Sequence, residues 1–91
     1  MANFKIGDMV TWRSQSQGSW KQKSGEIVAV VPARNQLRRI VEKMAHKERY
    51  NLSAIDLLGI RDHESYIIAA DRARSAKIKL YWPKVAGLEV D

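Results

Sequence analysis

The densest knot of reactive side chains is Arg61-Asp62-His63-Glu64-Ser65, a histidine between two acids with a hydroxyl two residues on. These residue types supply a nucleophile and its general base wherever their side chains converge. Neighbours one apart in an extended segment point to opposite sides, so this run cannot assemble such a pair locally. No second acid–base group lies at a telling spacing, and there is no glycine-rich phosphate loop. The sequence therefore argues against an enzyme. It leaves Asp62 or Ser65 to satisfy backbone donors where the chain enters a strand. The chain has no cysteine, and neither His46 nor His63 has a Cys or His partner at ligand spacing. Disulfides and thiolate metal sites are thereby excluded, and neither a structural zinc nor a cofactor is expected.

Charge carries the stronger signal. The 91 residues hold a formal net charge of +6, and the bases gather in three blocks, at residues 1–25, 34–49 and 71–84. Clusters of this kind favour polyanions, either nucleic acid or an acidic protein face. In the middle block Arg34, Arg38, Arg39, Lys43, Lys47 and Arg49 face only Glu42 and Glu48. A helix carrying them could lie along a phosphate backbone, or could be the solvated side of an amphipathic helix. In the last block Lys77, Lys79 and Tyr81 fall on one side of an alternating strand fed by Arg72 and Arg74. Tyr81 could stack on a base while the lysines meet phosphates; the alternative is lysine guarding a sheet edge. In the first block Trp20 stands beside Lys21 and Lys23 in a polar stretch with no apolar neighbours. It is either a contact residue or a ring folded back over the end of the fold.

Several elements must position these residues. Val10 and Trp12 alternate with Thr11 and Arg13, which reads as a strand over residues 9–13. A polar loop over 14–24 follows. Gly25 then opens Glu26-Ile27-Val28-Ala29-Val30-Val31, a β-branched run suited to a central strand and ended by Pro32. Leu37, Ile40, Val41 and Met44 mark one stripe of a helix within 34–46. A second short helix is expected from Ser53, with Asp56 completing its cap and Gly59 ending it in the left-handed region. Residues 65–70 form a third strand. The fourth, residues 77–82, places Ile78, Leu80 and Trp82 on one face and Lys77, Lys79 and Tyr81 on the other. Pro83 to Ala86 can make one tight helical turn before Leu88-Glu89-Val90. The expected core is Val10, Trp12, Ile27, Ala29, Val31, Ile68, Ile78, Leu80 and Trp82. With Trp12 and Trp82 inward, an aromatic cage that binds methylated cations is the lesser reading of these rings.

The Lys5-Ile6-Gly7-Asp8-Met9-Val10 start, Lys23-Ser24-Gly25-Glu26-Ile27-Val28, and Tyr81-Trp82-Pro83-Lys84-Val85 before Leu88 resemble the SH3-like small barrels, nearest to their KOW and Tudor branches. The likeness covers residues 4–31 and 65–90. The chain is also similar to small proteins of bacteria and their phages that pair Arg-Asp-His-Glu-Ser-Tyr, here residues 61–66, with a later Tyr-Trp-Pro, here 81–83. The expectation is a single mainly β domain over residues 1–91. It would be an SH3-like antiparallel barrel of four to five strands, with helices between strands 2 and 3 in an insert at 33–60. Such a module would be non-enzymatic and bind nucleic acid, DNA or RNA, or a nucleoprotein through its basic surface. The alternative is an adaptor or inhibitor of phage or mobile-element type docking on an acidic or nucleic-acid-binding face of a host protein. No run is long and apolar enough to span a bilayer, so the expected setting is the cytoplasm without a membrane partner.

Overall fold

The computed structural model describes residues 4–16, 18–44, 49–52, 55–70 and 78–90, with the side chains of 14–16 left aside. In chain order these form β1 (Met9–Ser16), β2 (Ser19–Val31), α1 (Leu37–Glu42), β3 (Tyr50–Asn51), β4 (Ser65–Ala70), β5 (Ile78–Tyr81), a single 3-10 turn (Val85–Gly87) and β6 (Glu89–Val90). The six strands make one sheet in the order β3-β5-β4-β2-β1-β6. Its pairs are antiparallel except for β3 beside β5. The fold is mainly β with one short helix among the described residues. It has two more strands than the lowest expectation of four, because two-residue strands finish both edges. Among the described residues no hydrogen-bonded ladder joins those edges, so the sheet is not closed.

The expected polar loop at 14–24 is instead a hairpin. The ladder runs unbroken from Met9↔Glu26 to Ser16↔Ser19, and Gly18 takes φ +80° where the chain reverses. Residues 18–22 are exposed, so neither face of this ribbon is under pressure to alternate apolar with polar. That is why the sequence did not read as strand there.

Two hydrophobic clusters lie on opposite faces of the sheet. Phe4, Val10, Trp12, Ile27, Tyr66, Ile68 and Leu88 form the first. Ala29, Val31, Leu37, Val41, Ile67 and Leu80 form the second. A β-bulge lets β2 serve both. Ile27 pairs with Ile68 and Ala29 with Ile67, so Val28 is an extra residue and the strand's alternation changes phase there. Ile27 faces the first cluster, whereas Ala29 and Val31 face the second. The expected single core thus divides: Val10, Trp12, Ile27 and Ile68 go to one side, Ala29, Val31 and Leu80 to the other. Ile78 and Trp82 are only half-buried. Residues 65–68 of β4 are buried without alternation, as a strand covered on both faces requires.

The first face is strongly curled. β1 and β5 are three ladder steps apart in the sheet, about 14 Å if flat. Yet the Trp12 and Tyr81 rings approach to 5.6 Å between centroids. The Gly7–Asp8 turn covers one end of this concave side. Gly7 sits at φ +100°, its N–H donates to the Ile27 carbonyl at 2.8 Å, and Ile27 N–H donates to the Asp8 carbonyl at 2.9 Å. Phe4 is thereby carried onto Tyr66, edge to face at 5.4 Å.

The insert covers the second face. α1 is shorter than the expected 34–46, because Arg34 turns into the left-handed region at φ 68° and the helix ends at Glu42. Its leading N–H groups have no side-chain cap. Backbone carbonyls take them instead: Leu37 N–H donates to Gly59 and Arg38 N–H to Leu57, at 3.0 and 2.8 Å. The expected second helix does not form. Ser53 and Ala54 lie outside the described residues, and residues 55–59 make successive turns. Asp56 accepts from Leu58 N–H at 3.1 Å through its side chain, the local alternative to a helix that aspartate favours. Gly59 has no positive φ. It is needed because a Cβ there would stand 2.6 Å from the Trp82 ring.

The bulge makes a direct prediction. Deleting Val28 makes Ile27 and Ala29 neighbours, which alternation sends to opposite faces, paired with Ile68 and Ile67 as before, so the bulge is lost while both clusters keep their members. Thermal unfolding followed by circular dichroism should then keep its cooperative transition. Val28→Ala, which keeps the phase and trims a half-buried side chain, should cost only about 1 kcal/mol. Loss of the cooperative transition in the deletion variant would show that the bulge itself is required, beyond the facing of Ile27 and Ala29.

Candidate nucleic-acid interface

The structure separates the expected basic groups. Arg38 and Arg39 lie on α1 and Lys43 at its C-cap, over the convex second face. Arg34 precedes the helix in its own turn, where its N–H donates to the Arg61 carbonyl at 2.7 Å. Arg38 Nε is 3.1 Å from Glu42 Oε2, an exposed i,i+4 pair. Arg39 and Lys43 are exposed without an ion pair among the described residues. Lys47, Arg72, Arg74 and Lys77 lie outside the described residues.

Tyr81 is not on a solvent face. It packs against the first cluster, and cations already occupy its ring: Lys23 Nζ lies 4.6 Å and Lys79 Nζ 5.6 Å from the centroid. Lys23 also donates to the Tyr81 hydroxyl at 3.4 Å. Strand β5 supplies both clusters, Leu80 to one and Tyr81 to the other. The apolar–polar alternation that set Tyr81 outside therefore misassigned it. With Trp12 buried against it, Tyr81 offers little ring surface for a base.

Trp20 lies on a strand rather than in a loop, and it is 64% exposed. Cross-strand register fixes its company. Arg13 pairs with Gln22 and Gln15 with Trp20, so Arg13, Gln22 and Trp20 share one side of the ribbon. Lys23, paired with Trp12, lies on the other, and so does Lys21. Arg13 is the binding candidate that reading 14–24 as a loop conceals; a hairpin reversing at Gly18 brings it beside Trp20. Two hollows of roughly 580 Å³ each flank this part of β1. One is lined by Trp12, Arg13, Tyr81, Trp82, Pro83 and Lys84 with Ala86 and Gly87. The other is lined by Thr11, Trp12, Arg13, Trp20 and Gln22 with Gly87 and Glu89.

The Arg61-to-Tyr66 run has a structural role that its chemistry did not suggest. Arg61 donates to the carbonyls of Trp82 and Pro83, both at 2.8 Å, and its guanidinium stacks 3.8 Å from the Trp82 ring. Burial lowers the Arg61 pKa, and the two carbonyls and the ring compensate for the desolvated charge. Ser65, fully buried, accepts from the Trp82 indole N–H at 2.8 Å. Its partner is thus a side chain rather than a backbone donor. The Arg-Asp-His-Glu-Ser-Tyr and Tyr-Trp-Pro motifs grip each other directly. Asp62 and His63 stand apart on the exposed side, 3.0 Å from one another. The hydrogen bond from His63, with Asp62's own N–H and the histidine charge behind it, lowers the Asp62 pKa.

No group of three or more His, Cys, Asp and Glu that could hold a metal ion occurs among the described residues. No described helix is long and apolar enough to cross a membrane. Comparison with known proteins gives no match to any family model, curated protein or solved structure.

Tyr66 yields a pH prediction. Its hydroxyl donates to Glu64 at 2.6 Å and accepts from Phe4 N–H at 3.2 Å. Burial, reinforced by Glu64, raises its pKa above the ordinary phenol value of 10.0. The neutral phenol is thus favoured more in the folded than in the unfolded chain. That stabilisation is complete below pH 10 and is lost as pH rises from there through the folded value. The stability difference between the native protein and Tyr66→Phe, measured by urea unfolding, should hold steady to about pH 10 and narrow above it. An unchanged difference across that range would contradict the burial argument.

Proposed function

We propose that this protein is a non-enzymatic binding module that holds nucleic acid or a nucleoprotein through a basic surface centred on the β1–β2 ribbon. One observation carries the reading. Residues 10–25 contain Arg13, Lys21 and Lys23 and no acid, and from this cationic ribbon Trp20 projects largely exposed. Phosphates neutralised by Arg13 and Lys21 release condensed counterions. An exposed indole adds sequence-tolerant stacking worth about 1–3 kcal/mol per base. A two-stranded ribbon also has the width to enter a duplex major groove. Arg39 and Lys43 on α1 form a separate contribution on the convex face.

The SH3-like small barrel belongs to the same proposal. The return of β6 to β1 after a single 3-10 turn supports it, as does the Trp12–Tyr81 contact across the concave face. The absence of enzymatic activity is favoured by the Ser65 hydroxyl, which is buried and engaged by Trp82 rather than presented beside a base.

Fluorescence anisotropy with labelled single-stranded and duplex oligonucleotides tests the function. Binding should fall steeply with salt. Arg13→Glu with Lys21→Glu should weaken it for every sequence and flatten the salt slope by about two, one per lost contact. Trp20→Ala should weaken single strands roughly tenfold and duplex less. Absence of binding to DNA and RNA at low salt would overturn the reading and leave the acidic protein face as the partner.

A further inference from the structure

The open edge of β1 lies beside this site and points to a different kind of partner. β6 pairs only with Val10 and Thr11. Beyond them the chain leading into β6 peels away through its 3-10 turn, and from Trp12 to Ser16 no described strand lies along this edge of β1. Such an edge presents backbone donors and acceptors together. The lining of one flanking hollow agrees with an accessible edge rather than an accessible face. The polar hollow is lined by Thr11, Trp12 and Arg13 in succession. Consecutive strand residues point to opposite faces, so a lining that takes three in a row must follow the strand's side.

We propose that this edge accepts an extended peptide strand that alternates acidic and apolar side chains. Added in line with β6, such a strand sends alternate side chains to the two sides of the sheet. On the concave side they meet the hollow walled by Trp12, Tyr81, Trp82 and Pro83, which suits leucine-sized apolar groups. On the other they meet Arg13, Gln22 and Trp20, which suits a carboxylate over the cation and the ring edge. Glu89 lines that hollow at its far end, where β6 already occupies the ladder.

Charge decides between occupants. A second copy would bring two ribbons together that each carry Arg13, Lys21 and Lys23 and no acid, so like charges would face each other. A nucleic-acid strand offers phosphate acceptors but no regular donors, and so leaves the edge carbonyls unpaired. An acidic peptide satisfies both the backbone and the cations. The proposal stands independently of nucleic-acid binding by the ribbon, and its test uses no oligonucleotide.

The probe is a fluorescein-labelled peptide of about eight residues alternating Glu and Leu, followed by anisotropy. It should bind saturably below about 1 mM, and a Lys–Leu counterpart should not. N-methylation of alternate residues, in each of the two phases, leaves the side chains but removes backbone donors; one phase should weaken binding about tenfold or more. Arg13→Glu should weaken it by a similar factor, while Arg49→Glu, the same charge change at an exposed position away from the ribbon, should stay within about twofold. Equal binding of both N-methylated peptides would overturn strand addition. Lack of any binding by the Glu–Leu peptide would overturn the proposal outright. Sedimentation showing a dimer that the peptide fails to dissociate would do the same, assigning the edge to a second copy.

Discussion

One strand, β2, has to serve two hydrophobic cores on opposite sides of a single sheet, and the rest of the fold follows from how it does so. A regular strand sends every second side chain to the same face. With Val28 as an extra residue opposite the Ile67–Ile68 step of β4, the strand presents Ile27 to one side and Ala29 and Val31 to the other. Ile27, before the bulge, belongs to the concave core with Phe4, Val10 and Trp12, and Val30 packs against that core from beyond it. Ala29 and Val31 belong to the core under the insert. β4 is squeezed between them and is buried on both faces, which explains why Tyr66 and Ser65, its two polar members, each have a partner for the hydroxyl.

Trp82 joins the two halves. Its ring covers Gly59 in the insert, its indole N–H reaches Ser65 at the start of β4, and Arg61 closes over it from the insert's return. The same stretch of insert accepts the N-terminal donors of α1. A six-residue helix is too short to be stable alone. It persists here because Leu37 and Val41 are buried in the second core and because backbone carbonyls replace a cap. The price of this economy is that the helix has no free N-terminal donors to offer a phosphate, so any contact by α1 must come from its side chains.

Much of the β framework was legible in the sequence. The Gly7–Asp8 turn, the strand opening at Met9, the run from Gly25, the strand at 65–70 and the helical turn before Leu88 all follow from alternation, β-branching and turn chemistry. The phase change at Val28 was not legible, because Ile27 to Val31 is apolar throughout and a continuous apolar run carries no phase. The ribbon at 14–24 was missed for the opposite reason: apart from Trp20 it has no apolar side chain to mark a face. Tyr81 was misplaced because its neighbours are lysines, and lysine stems folding over a ring look, in sequence, like a solvated face. The second helix was overread: at Asp56 and Gly59 local turns and a packing requirement decided instead.

The basic residues can be sorted by what they already do. Arg61 is committed to the Trp82–Pro83 backbone, Lys23 and Lys79 to Tyr81, and Arg38 to Glu42. None of these can reach outward without breaking an internal contact. Arg13, Lys21, Arg39 and Lys43 have no such commitment among the described residues. Two of them flank Trp20 on a ribbon without acids, and the other two sit on the far side of the sheet. Exposed charge of one sign costs a small protein self-repulsion, and a single ribbon that concentrates it beside an exposed indole and an open strand edge is poorly explained by solubility alone. The ribbon is thus the part of the molecule where unspent charge, ring surface and backbone hydrogen-bonding capacity coincide. It is there, rather than on the helix with the longest run of bases in the sequence, that the proposed binding is centred.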